Sequence, residues 1–173
     1  MTAYHDDEWG QPATGEVELF ERLVLESFQA GLSWSTILRK REAFRAAFRG
    51  FDPVRVAAFD EGDRERLMAD AGIVRNRAKI DATIGNARAF LATGREFGDV
   101  ERYFRTIVTE PAQPLPRTAE AGQIPASTPA SIALSKDLQA RGFRFVGPTI
   151  MYAFMQSVGL VDDHLPGCFR YRG

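Results

Sequence analysis

Glu26 lies seven positions after Leu19, so on a helix the two project within about 20° of each other. Its carboxylate therefore sits at the rim of an apolar stripe that also carries Leu23. Charged side chains are almost never buried without a partner. Glu26 is thus either a boundary glutamate reaching water or a carboxylate held in a pocket to accept hydrogen bonds from a ligand. Trp34, at the opening of the next helix, is either core or a wall of that pocket. Further along, Asp162 and Asp163 stand just ahead of His164. Adjacent carboxylates suit a solvated loop, or one of them orients a water or a histidine. His5 and His164 are the two histidines and Cys168 the one cysteine. His164-Leu-Pro-Gly-Cys168 has a spacing compatible with two ligands of one tetrahedral zinc, with His5 as a candidate third. A structural zinc takes four protein ligands. The fourth would be water, a carboxylate such as Asp6 or Asp7, or a group from outside the chain.

Two glycine-bearing turns offer a different chemistry. Gly142 can end one helix in the left-handed conformation, and Pro148 can open the next, where its missing N–H costs nothing. Between them Gly147 leaves backbone N–H groups uncovered at a helix N-terminus, and such groups suit a phosphate. The plain alternative is a tight turn between packed helices. Ala71-Gly-Ile-Val-Arg-Asn76 is a weaker echo, with Arg75, Arg77 and Lys79 beside it. Those cations could meet a nucleic-acid backbone, or they form a solvated basic turn.

These residues must be positioned by helices. Every long segment repeats with period 3.6 and none alternates, so the fold class is all-α, a single compact domain over 1–173 with about eight or nine helices. Helices are predicted over Glu16–Ala30, from a Ser33 cap to about Arg49, and from Asp52-Pro53 to Phe59. Others follow from Gly62 to Ala71, from an Asn76 cap through Arg77–Thr93 to a stop at Gly94, and from Asp99 to Ile107. Thr128-Pro129 caps a helix to Arg141. Pro111 to Ser127 carries four prolines and no period, and reads as a loop of the kind that is functional or mobile. With 45% apolar and 26% charged residues, the 173-residue chain has an ordinary globular composition. No run of 18 apolar residues exists and Met1–Trp9 is polar and acidic, which argues against a membrane span or signal peptide. A lone cysteine fits a reducing cytoplasm. A net charge of −1 argues against a sequence-wide electrostatic grip on nucleic acid and does not exclude a local patch.

Four blocks in order, Tyr4–Gly10, Leu25–Trp34, Asp70–Ile80 and Phe145–Gln156, together with His164 and Cys168, resemble the DNA-3-methyladenine glycosylase I family of the helix-hairpin-helix glycosylase superfamily. The resemblance spans nearly the whole chain. It implies a monomeric, cytoplasmic base-excision repair enzyme that acts on double-stranded DNA containing alkylated adenine. Such an enzyme flips out 3-methyladenine and hydrolyses its N-glycosidic bond. The lesion is a cation and leaves as a neutral base, so little leaving-group acid is required. Glu26 would then accept hydrogen bonds from the base edge and favour its positive charge, with Trp34 stacking on the ring. Tyr4 and Trp9 would complete an aromatic cage, where a π face near a cation gains on the order of 0.5–2 kcal/mol. Gly147 and Thr149 would offer backbone amides to phosphate, with Arg75, Arg77 and Lys79 as further contacts.

The family's Zn2+ would be held by His5, His164 and Cys168 with a cysteine that precedes the Tyr-His pair. This chain starts at Met1-Thr-Ala, so three of the four ligands remain and the extreme N-terminal segment is missing from the match. Loss of that tie should cost stability more than chemistry. Val161-Asp162-Asp163-His164 matches the superfamily's catalytic pattern, where this branch generally has asparagine. Asp162 is accordingly expected to stabilise charge at the sugar or to position water. No lysine occurs from Gly147 to Gln156, so hydrolysis without strand cleavage is expected. Two alternatives remain: a DNA-binding protein of the same fold without catalysis, or a glycosylase for another damaged base, since Ser27 and Phe28 flank Glu26.

Overall fold

The computed structural model describes residues 2–109 and 115–172, and among them every regular element is helical. In chain order these are α1 (Thr2–Asp7), α2 (Glu16–Gln29), α3 (Trp34–Ala47), α4 (Pro53–Ala57) and α5 (Glu61–Ala69). They continue with α6 (Arg77–Phe97), α7 (Val100–Ile107), α8 (Pro129–Ala140) and α9 (Pro148–Ser157). The polar side chains expected at the starts do the capping. Ser33, Asp52, Asn76, Asp99 and Thr128 each accept a backbone N–H from the first turn of the helix that follows. Each such cap is worth about 1 kcal/mol.

Helix α2 is the axis of the fold. Every residue from Leu19 to Phe28 is buried, and α3, α6 and α9 pack around it. Phe20, Leu23, Leu25 and Phe28 meet Phe44, Phe90, Met151 and Phe154 in one continuous core. Removing a side chain of this size from water contributes about 1.5–3 kcal/mol. Because α2 is covered on all sides, its polar residues Glu21, Arg22, Glu26 and Ser27 are buried with it. Glu21 is neutralised by Arg41 and Arg45 of α3, at 2.6 and 2.9 Å.

Three expectations need correction. Helix α6 does not stop at Gly94 but runs on to Phe97, with Gly98 as its cap at φ 93°. Gly94 is an interior contact, since a Cβ there would lie 3.2 Å from both Glu16 and Val100. The N-terminal segment, for which no helix is predicted, begins with α1. The segment read as a plain loop contains a 3-10 turn at Ala121–Gln123, closed by reciprocal bonds between Glu120 and Gln123. The part of that segment at 111–114 lies outside the described residues.

Candidate active site

A cavity of about 310 Å³ opens between α1, the N-terminal end of α3, α9 and the C-terminal half of α2. That volume is at the small end for ligand sites. Glu26 forms part of its wall, 6% exposed and without a hydrogen-bond partner among the described residues. Burial pushes its carboxyl up to about 8, against the opposing field of Arg22. In the free protein Glu26 therefore keeps its proton at neutral pH. A cationic ligand in the cavity would draw the proton off, because opposite charges favour the ionised form.

Aromatic rings enclose the carboxyl. Tyr4 and Trp34 meet with centroids 5.2 Å apart, and Trp9 lines the same cavity. Burial, and then the Glu26 charge, hold the Tyr4 phenol above its ordinary value. The Arg41 guanidinium, bound to Glu8 and Glu21, lies 6.0 Å from the centre of the Tyr4 ring and backs that wall. Ser27 and Phe28 do not shape the wall. Ser27 turns to the carbonyls of Leu23 and Phe145, and Phe28 is wholly in the core.

Gln29, Ala153 and Gln156 also line the cavity, and none of them was singled out from the sequence. Gln156 donates its amide N–H to Asp163 at 2.7 Å, and the Tyr152 hydroxyl donates to the same carboxylate oxygen at 2.6 Å. Of the adjacent carboxylates, Asp163 is therefore the one coupled to the cavity. Asp162 is not among the residues that line the cavity. Its Oδ1 accepts from both the backbone N–H and Nδ1 of His164, at 3.2 and 2.7 Å, so it orients a histidine.

That histidine belongs to a second cluster. One ligand atom from each of His5, His164 and Cys168 lies within 4.8 Å of the others. His5 Nε2 is 3.4 Å from Cys168 Sγ. Among the described residues His164 Nε2 is buried and has no partner, while Nδ1 of His5 meets Asp6 at 2.8 Å. Both imidazoles thus have Nδ1 held by a carboxylate and Nε2 left for the cluster, as metal-ligating histidines usually do. The donor set fits zinc, with a fourth position to be filled. Gly10 lets the chain pass closely here: at φ 74°, a Cβ would come within 2.5 Å of the His164 ring.

The two turns fare differently. At the first, Gly147 caps α9 at φ −61° and the space before it is open. The left-handed residues are Gly142 and Phe145. Thr149 is exposed in the first turn of α9, where amides have no helical acceptor. The turn is clamped from behind by Asn86, whose amide bonds both the N–H and the C=O of Arg144, at 2.8 and 2.9 Å. At the second turn, Arg75 is exposed and free of carboxylates among the described residues. Arg77 is shared between Glu61 and Asp81. Lys79 is not a surface cation, which corrects its assignment to DNA. It is 8% exposed, and its Nζ donates to the carbonyls of Phe28 and Ala30 at 2.8 and 2.7 Å, closing the C-terminus of α2.

An all-helical frame that holds a lone buried carboxyl within a cage of aromatic rings is the design of a glycosylase that captures an extruded base. The sequence pattern of the methyladenine glycosylases matches residues 1–171, and the chain belongs to that family. It is 53% identical over 171 residues to DNA-3-methyladenine glycosylase 1 of Escherichia coli (strain K12), covering 99% of this chain and 91% of that protein. A crystal structure of a 3-methyladenine DNA glycosylase I superposes with a TM-score of 0.91 at 51% identity, over 99% of this chain and 93% of the other. The Staphylococcus aureus enzyme, solved to explain its recognition of 3-methyladenine, gives 0.91 at 36% identity, over 99% and 91%.

Proposed function

We propose that this chain hydrolyses the N-glycosidic bond of 3-methyladenine in duplex DNA, in the cytoplasm, without cleaving the strand. The observation that carries this reading is the Glu26 carboxyl, buried inside the aromatic cavity and without a hydrogen-bond partner among the described residues. A purine cation stacked on Trp34 would convert that costly buried acid into an ion pair. Extrusion costs a few kcal/mol, which the cavity must return. When the C1′–N9 bond breaks, its electron pair goes to the base, which leaves neutral. Water bonds to C1′ and gives up a proton. The amides at Gly147 and Thr149 and the Arg75 side chain would hold the phosphates, as a DNA-binding protein needs for register. A zinc held by His5, His164 and Cys168 would tie α1 to the C-terminal segment and supply stability rather than chemistry.

The test is release of free base from methylated duplex DNA, with zinc quantified in the same preparation and the products run for strand scission. Release of 3-methyladenine with intact strands is expected. Binding without release would favour a DNA-binding protein that has lost catalysis. Preferential release of another lesion from a panel of duplexes would move the enzyme to a different substrate.

A further inference from the structure

Four residues before Glu26 on α2, Arg22 is 3% exposed, which is a costly position for a guanidinium. Its surroundings show what it is for. Nη1 donates to the carbonyls of Glu8 and Gln11, at 3.3 and 3.0 Å, and to that of Ser157. Nη2 meets the Glu18 carboxylate, and Nε is buried with no partner among the described residues. Glu8 and Gln11 flank Trp9 and follow Tyr4 and His5, while Ser157 ends the helix that carries Ala153 and Gln156. Ser157 O also receives the Gly10 N–H, at 3.3 Å. One side chain thus ties α2 to the segment after α1 and to the end of α9, three of the four walls of the cavity, and it does so one helical turn from the carboxyl that faces the ligand.

We propose that Arg22 is a positioning residue for base capture, clasping the Tyr4–Trp9 segment to the end of α9 and setting a fixed positive charge beside Glu26. The proposal rests on Glu26 receiving the base. The clasp fixes the Tyr4–Trp9 segment and the end of α9 relative to α2. The charge eases ionisation of Glu26 when the cationic base enters, and it is the field that opposes burial there. Other charged or titratable groups lie around this site. From α1 come Tyr4 and His5; from α3 comes Arg41, neutralised by Glu8 and Glu21; from α6 comes Lys79, on the α2 carbonyls; and from α9 comes Tyr152, bound to Asp163. Glu18 sets how much of the Arg22 charge is felt, since it is the carboxylate paired with it.

The experiment is the pH profile of kcat/KM for base release from methylated DNA. The methylated base is a fixed cation there, so the rising acid limb belongs to the protein. For R22M the midpoint should move up by about one pH unit, so that near pH 7 release falls about tenfold. R22K keeps the charge and gives up carbonyl contacts, so its midpoint should stay near that of the wild type while KM rises. E18Q leaves the clasp in place and unmasks the charge, so its midpoint should move down. Thermal unfolding of each variant checks the fold, and if R22M does not fold, the downward shift in E18Q decides alone. Wild-type midpoints in both R22M and E18Q would overturn the proposal while leaving the enzyme reading intact. Failure of the wild type to release base would remove both.

Discussion

Glu26→Gln should make the protein more stable while crippling it, and the gain should depend on pH. The folded chain holds the Glu26 proton up to about 8, whereas a solvated glutamate gives it up near 4.5. The stability that comes from keeping this group neutral is therefore fully present below pH 4.5 and is lost as pH rises towards 8. At about 1.4 kcal/mol per pH unit, the wild type loses on the order of 3–5 kcal/mol across that window through this one group. Glutamine fills the same volume, stays neutral in both states and loses nothing. Urea denaturation of both proteins at pH 5 and pH 8.5 measures the difference. Near-equal stabilities at pH 5 should open to a gap of about 3 kcal/mol or more at pH 8.5, in favour of the variant. A gap that is absent, or the same at both pH values, would mean that Glu26 is not a buried neutral acid.

Trp34→Ala should weaken binding of lesion-bearing DNA by about 10- to 100-fold, the worth of one stacked base, as measured by fluorescence anisotropy. Removal of bound metal with a chelator, or Cys168→Ser, should lower Tm by about 5 °C and leave the initial rate of base release at low temperature within about twofold. Arg75→Ala should reduce DNA affinity with a shallower salt dependence, whereas Lys79→Met should act on stability, because only the first side chain is free to meet a phosphate.

The helical frame was legible because its start signals are local. Ser33, Asp52, Asn76, Asp99 and Thr128 cap helices with contacts only two or three residues away. Glu26 was legible in position, through its spacing from Leu19, but not in protonation, which depends on how completely α3, α6 and α9 cover α2. Lys79 was misread because the carbonyls it satisfies belong to Phe28 and Ala30, some fifty residues earlier in the chain. Gly94 looked like a stop because sequence does not show Val100 folding back onto it. Asp162 and Asp163 could not be told apart as neighbours. Only the fold reveals that one faces His164 and the other Gln156. Beyond the Glu18 pairing four residues earlier, the Arg22 clasp left no sequence signal, since its other acceptors are main-chain carbonyls.

Single-turnover release of 3-methyladenine from methylated duplex DNA, compared between wild type and Glu26→Gln, probes the cavity chemistry most directly. Loss of the charge contact that holds the extruded cationic base, about 3–4 kcal/mol, should lower the observed release by about 10²–10³-fold in a variant that still folds and still binds DNA. Release at the wild-type rate would contradict the assignment of Glu26 as the group that captures the extruded cationic base.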